Sequence, residues 1–94
     1  MGLSDADEVL FKADLAIAIS RAIDSRGLSQ AEAAQLAGLD QPKISALEAG
    51  DTRGFSVDRL FRILTRLGRD VRIQIQPSLG SKGRIRVASA SARS

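Results

Sequence analysis

Four glycines divide most of the chain into short segments, and this spacing constrains the fold more than any other feature. Gly27, Gly38, Gly50 and Gly68 each close a stretch with helical character. Because glycine readily adopts the left-handed backbone conformation that ends a helix, each of them is a helix C-terminal signal. The sequence therefore predicts four helices between residues 9 and 68.

Helix-capping residues stand at the starts of the second, third and fourth segments. Ser29 and Glu32 have the spacing of a capping box. Asp40 is a suitable N-cap for the third helix, and Pro42 is acceptable because it lies in the first turn, where no intrahelical N–H bond is lost. Ser56 is the expected cap of the fourth helix. The first helix is predicted over residues 9–26, the second over 30–37, and the fourth runs through residue 67.

The pattern changes period after the fourth helix. Residues 70–76 alternate apolar and polar side chains, many of them β-branched, which predicts a half-buried strand over residues 69–77. Residues 78–94 are rich in Ser, Ala, Gly and Arg, with one short alternating stretch at 84–87. This tail either forms a hairpin with the strand or is disordered, and its few apolar residues favour disorder.

The composition excludes several kinds of site. Without Cys or His the chain has no disulfides, zinc fingers, thiol nucleophiles or imidazole bases. Three Phe, with no Tyr or Trp, are too few for a base-stacking RNA platform. No paired carboxylates, phosphate-cradling glycine loop or metal-ligand cluster is present. We therefore expect no enzymatic activity, no metal and no cofactor.

The chain carries no segment that predicts membrane insertion. Its longest apolar stretch, residues 15–19, falls far short of the roughly 20 residues that span a bilayer. Its acidic start is the opposite of the basic lead of a signal peptide. We expect a soluble, cytoplasmic protein.

Charge is divided unequally along the sequence. Residues 1–50 hold four basic and eight acidic side chains, whereas residues 51–94 hold ten basic and three acidic ones. A split of this kind suggests a polyanionic partner engaged mainly by the second half. The alternative is that arginine-rich faces simply keep a small protein soluble.

The second and third segments form a helix-turn-helix pattern, two short helices joined by a turn that contains glycine. Ala33 and Ala34 are small where the two helices must approach, and Gly38 permits the turn. Ile44 and Leu47 are expected to fix the third helix to the core. The side chains then left facing outward are Gln41, Lys43, Ser45 and Ala46.

The run from residue 28 to residue 50 resembles the XRE (Cro/C1-type) helix-turn-helix of phage repressors. The family's motif places polar, small, apolar and glycine residues at fixed spacings. This sequence matches the motif at Ser29, Gln30, Ala34, Gly38, Ile44, Ser45, Glu48 and Gly50. The resemblance implies an all-α, phage-repressor-like bundle of four to five helices. The expected organisation is a polar lead, this DNA-binding domain, a strand and a basic tail: residues 1–8, 9–68, 69–77 and 78–94.

The resemblance also implies which residues would contact double-stranded DNA. Gln30 and Arg53 would bind phosphates, and Ser45 would contact backbone or base. Gln41 and Lys43 would read base edges, where glutamine suits adenine and lysine suits guanine. The simpler interpretations are that Gln30 only starts a helix and that Lys43 is a solvated surface residue.

Two further residues enter through the same resemblance, and helical spacing adds a group of three arginines. Pro42 departs from the family's usual polar side chain and removes a donor, so base reading there would be by shape or apolar contact. Glu48 would be structural, anchoring the following loop. Arg59, Arg62 and Arg66 form a stripe on the fourth helix that would face DNA or a partner protein, or simply be solvated.

The order of a helix-turn-helix, a fourth helix and then an alternating segment is similar to that of HigA-type antitoxins. In those proteins the terminal strand pairs with the same strand of a second copy related by two-fold symmetry. The dimerisation residues would then be Val71, Ile73 and Ile75. This implies a homodimeric repressor that binds a near-palindromic operator, within a toxin–antitoxin module. The alternative is a protein-interaction module whose main role is to neutralise a small, basic ribonuclease toxin through the acidic first half, with weak or non-specific DNA binding.

Overall fold

The computed structural model of the chain describes residues 5–80 and 82–88. Its described part contains four helices and no strand, which confirms the prediction of an all-α fold with four helices. The helices are α1 (Asp5–Ser25), α2 (Gln30–Ala37), α3 (Gln41–Glu48) and α4 (Val57–Arg66).

Helix α1 begins at Asp5, four residues before the first residue of the predicted helix. Three acidic residues occupy its first turn, Asp5, Asp7 and Glu8, where carboxylates interact favourably with the positive end of the helix dipole. Glu8 also pairs with Lys12 one turn later, with 3.3 Å between Oε2 and Nζ. Part of the predicted polar lead is therefore helical, and residues 1–4 lie outside the described residues.

Side chains cap the other three helices as their sequences indicate. Ser29 Oγ accepts from the backbone N–H of Glu32 (3.1 Å), whose carboxylate accepts from the N–H of Ser29 (2.8 Å). Asp40 accepts from the N–H of Lys43 at the start of α3, and Ser56 accepts from the N–H of Arg59 at the start of α4. Because caps of this kind are each worth about 1 kcal/mol, they define helices too short to be stable alone.

The core is formed between α1, α3 and α4, with α2 packed closely on it. The largest fully buried side chains are Ile19, Ile23, Ile44, Leu47, Leu60 and Leu67. Helix α2 contributes only alanines to this core, namely Ala33, Ala34 and Ala37. Their small size lets the α2 backbone approach its neighbours, which is the role that the sequence predicts for the first two.

Two arginines join the C-terminal ends of α1 and α4. Arg26 Nη1 donates to the carbonyl oxygen of Leu67 at 3.2 Å, and Arg69 Nη2 donates to Ser25 Oγ at 2.8 Å. Helix α4 is ten residues long, so its N-terminal end and the loop before it lie about 15 Å from these two hydrogen bonds.

The prediction of a strand over residues 69–77 is wrong for the single chain, since this segment has no regular secondary structure. A strand is defined by backbone hydrogen bonds to a neighbour, and no described part of the chain offers one. Val71, Ile73 and Ile75 are instead 37%, 71% and 92% exposed.

The predicted tail likewise forms no hairpin over the part that the structure describes. Its residue Val87 is half-buried and packs against the core. Disorder of the tail stays a prediction, and residues 81 and 89–94 lie outside the described residues.

Candidate DNA-binding surface

Helix α3 is held to the core by one face and exposes the other. Ile44 and Leu47 are 0% and 1% exposed, so two anchors about one turn apart fix both the position and the rotation of the helix. Gln41, Lys43 and Ser45 are exposed on the remaining surface. This is the outward arrangement that the sequence predicts for them, whereas Ala46, predicted with them, is half-buried.

The start of α3 presents its polar side chains from a well-defined turn. Pro42 is the second residue of the helix and is exposed, so its missing N–H costs no intrahelical bond. Asp40 caps the helix and also lies 3.7 Å from Lys43 Nζ, in a pair whose side chains are both at least half exposed. An exposed pair of this length holds the lysine only weakly.

The turn between α2 and α3 depends on Gly38, whose φ is +72°. Its N–H ends α2 by donating to the carbonyl oxygen of Gln35, and the next residue, Leu39, donates to Ala34. A Cβ at Gly38 would lie 2.6 Å from Nη1 of Arg66. The glycine therefore supplies both a left-handed conformation and room for an α4 side chain, and it sets the angle at which α3 leaves α2.

Gln30, the predicted phosphate ligand at the start of α2, contacts another part of the domain. Its Nε2 donates to Oε1 of Glu48 at 2.8 Å in a partly buried hydrogen bond. The bond joins the first residue of α2 to the last residue of α3. Glu48 is thus held by α2, in addition to any role towards the loop that follows it, and both residues help to fix the two helices relative to each other.

Arg53, the second predicted phosphate ligand, lies in the loop between α3 and α4 and is paired with Asp51. Its Nε and Nη2 donate to the two carboxylate oxygens at 2.9 and 3.0 Å, and its backbone N–H donates to Oδ1 at 3.1 Å. The hydrogen bonds from Arg53 lower the pKa of the Asp51 carboxyl to about 2. The same carboxylate raises the pKa of the Arg53 guanidinium. The pair is therefore ionised at neutral pH.

Three of the five polar residues predicted to contact DNA therefore share a feature that the sequence did not reveal. Gln30, Lys43 and Arg53 each lie against a carboxylate in the free protein. Spacing could have suggested the Asp40 and Asp51 pairs, which are local, but not the contact with Glu48, which is 18 residues away.

The arginine stripe of α4 lines a shallow groove beside the α2–α3 turn, together with Gly38 and Leu39. Arg59 lies 5.2 Å above the ring of Phe55, a cation–π distance. Arg62 pairs with Asp58 at 3.2 Å. Both contacts are made within α4 and the loop before it, as a structural or solvated stripe would make them.

The described part of the chain contains neither a membrane-spanning helix nor a metal-binding cluster. No helix there is both long and apolar enough to cross a membrane. Residues 5–80 and 82–88 also contain no group of three or more acidic side chains placed to hold a metal ion.

Comparisons with known proteins identify the fold. No curated protein has a sequence that matches this one. A family model described as a helix-turn-helix domain matches residues 1–76. A solved structure described as a proposed XRE-family transcriptional regulator is 42% identical in sequence, with a TM-score of 0.79 over 95% of this chain and 100% of that chain. The chain therefore belongs to the helix-turn-helix domain family and resembles an XRE-family regulator over nearly its whole length.

Proposed function

We propose that the protein is a sequence-specific DNA-binding transcriptional repressor that inserts α3 into the major groove. The observation that carries this proposal is the anchoring of α3: Ile44 and Leu47 are buried while Gln41, Lys43 and Ser45 remain exposed on the same short helix. A recognition helix must be rigidly held and must expose donors and acceptors, because base edges are read by side chains in fixed positions.

Base reading would centre on the first turn of α3. Gln41 offers an amide that can bond adenine in two places, and Lys43 offers donors suited to guanine. Lys43 would leave Asp40 on binding, at little cost because their 3.7 Å contact is exposed. Pro42 has no N–H and would contact DNA through shape or an apolar surface.

Phosphate contacts would flank this turn and fix the register of the helix on DNA. Ser45 would contact backbone or base from the exposed side of α3. Gln30 would reach a phosphate with the amide that now bonds Glu48. Arg53 would do so with the guanidinium N–H groups that do not bond Asp51.

A single helix of eight residues reads only a few base pairs, so useful specificity requires two copies. We propose a homodimer whose two recognition helices lie about 34 Å apart, one turn of DNA, on a near-palindromic operator. Residues 69–77 support this proposal because Val71, Ile73 and Ile75 are exposed at alternate positions. Pairing with the same segment of a second copy would provide the strand neighbour that the described part of the chain lacks.

A role as an antitoxin is the second candidate, compatible with repression. Helix α1 carries exposed acidic residues at its start, Asp5 and Asp7, beside Val9 and Leu10, which are 61% and 65% exposed. A surface that is both acidic and apolar fits a small basic protein such as a ribonuclease toxin. The product of any short adjacent reading frame would be tested by calorimetry, and micromolar or tighter binding weakened by Asp7→Lys would support this role. No binding would count against it.

The test of base reading is the double substitution Gln41→Ala with Lys43→Ala. Because each good side-chain contact to a base contributes about 1–3 kcal/mol of discrimination, the variant should lose most of its preference for the operator. Both side chains are exposed, so thermal stability should be unchanged. Gln35→Ala, which truncates an exposed glutamine of α2, is the matched control and should bind like the wild type. A double variant that retains the operator preference would refute the assignment of this face.

A further inference from the structure

The loop between α3 and α4 is held by one backbone bond to α3 and by another within the loop itself. The N–H of Asp51 donates to the carbonyl oxygen of Ala46 in α3 at 2.9 Å, and the N–H of Phe55 donates to that of Thr52 at 3.1 Å. The Phe55 side chain is 6% exposed within the core cluster. Any side chain fixed to Asp51 is therefore fixed relative to the recognition helix.

Arg53 is fixed in this way although its side chain is 90% exposed. Isolated surface ion pairs usually contribute little, but bidentate geometry is the exception. Here both carboxylate oxygens of Asp51 accept from the guanidinium, and Oδ1 also accepts from the backbone N–H. The pair and its backbone bond together restrict an arginine that would otherwise sample many rotamers.

The pairing changes what Arg53 can offer to DNA. A guanidinium has five N–H donors, and the bonds to Asp51 use two of them, so three remain, directed away from the carboxylate. The pair as a whole carries no net charge. A phosphate that approaches from an arbitrary direction meets Asp51 as well as Arg53, whereas an acceptor placed in line with the remaining donors meets only N–H groups.

We propose that Asp51 is a specificity-determining residue, which withholds the charge of Arg53 from non-specific phosphate binding and restricts it to one contact direction. This inference rests on the proposed DNA-binding function. Non-specific affinity arises from the number of phosphates neutralised and the counterions released. Cancelling one cation beside the recognition helix therefore lowers affinity for random DNA, while a correctly placed acceptor on the operator still gains a charge-assisted hydrogen bond.

The substitution Asp51→Asn tests this directly. Asparagine keeps one oxygen to accept from the Arg53 backbone N–H, so the turn is retained, while the negative charge and the second acceptor, which now bonds Arg53 Nη2, are both removed. Binding to a shuffled duplex should tighten, and the slope of log affinity against log salt should steepen by about 0.9 per protomer. Between roughly 50 and 200 mM salt that is about a threefold larger loss of affinity for each protomer. The ratio of operator to shuffled affinity should fall.

Two further variants separate this effect from a change in net charge. Asp24→Asn makes the same charge change at the exposed C-terminal end of α1, beside the end of α4 remote from the loop, and should leave the slope near that of the wild type. Adding Arg53→Gln to Asp51→Asn should abolish the gain. Asp51→Asn should melt slightly below the wild type because it loses the pair, and adding Arg53→Gln should lower the melting temperature little further, so the two variants differ in charge and not in fold.

The inference is overturned if Asp51→Asn binds the shuffled duplex no more tightly than Asp24→Asn, or if the gain persists when Arg53 is also replaced. The binding measurements on the shuffled duplex do not depend on whether the protein has an operator. If the wild type shows no sequence preference, the proposed function fails, while the difference between Asp51→Asn and Asp24→Asn still decides the role of Asp51.

Discussion

The turn between α2 and α3 depends on Gly38, and the substitution Gly38→Ala measures how much this glycine contributes to the stability of the fold. The backbone φ is +72°, a left-handed conformation that costs an L-residue about 1–2 kcal/mol. A Cβ would also lie 2.6 Å from Arg66 Nη1, but that atom is the end of a flexible side chain that can move aside. Gly38→Ala should therefore lower the free energy of unfolding by about 1–2 kcal/mol, or the Tm by roughly 4–16 °C for a domain of this size.

Urea denaturation followed by circular dichroism would measure this change beside two controls. Gly27→Ala has a similar φ of +65° with no atom within 4 Å of the added Cβ, so it isolates the backbone cost and should lose nearly as much. Gly83→Ala has open space and no positive φ, so it should change stability little. If Gly38→Ala is as stable as the wild type, the argument from backbone conformation is refuted. If it loses far more than Gly27→Ala, Arg66 does not move aside.

Three other substitutions or titrations follow from the same structure. Ile44→Ala, at a residue with no exposed surface, should cost about 2–5 kcal/mol in urea denaturation, and a loss below 1 kcal/mol would show that α3 is not anchored as described. Ile73→Pro should leave a monomer in light scattering because proline cannot donate to a strand ladder, and a surviving dimer would exclude this interface. The Asp51 carboxyl should titrate near pH 2 by NMR. Because its folded-state pKa is lowered, whatever stability the pair adds is present above the unfolded value of about 3.8 and is lost as pH falls towards 2, and a midpoint near 3.8 would show that the pair does not persist in solution.

The sequence was most informative where the structure is determined locally. The ends of α2 follow from Ser29, Glu32 and Gly38, because a capping box and a left-handed glycine act within a few residues. The anchoring of α3 follows from the spacing of Ile44 and Leu47. Such signals are readable without knowing which segments meet in space.

The features that sequence reasoning missed depend on segments that meet, or fail to meet, in three dimensions. An alternating pattern over residues 69–77 cannot indicate whether a neighbouring strand exists, and residues 5–80 and 82–88 contain none. The bond between Gln30 and Glu48 spans 18 residues and requires the packed helix pair. The early start of α1 was missed for another reason: acidic residues that favour a helix N-terminus interrupt the apolar periodicity.

Sequence-specific recognition of DNA is the central claim, and fluorescence anisotropy tests it most directly. The full chain would be titrated onto the DNA upstream of its own gene and onto a shuffled duplex of the same composition, at two salt concentrations. We expect a preference of roughly a thousandfold or more for the native duplex, as for specific regulators. Equal, salt-sensitive binding to both duplexes would contradict the claim, because it would show that DNA is bound through charge alone, and a protein partner would then become the leading candidate for the main ligand.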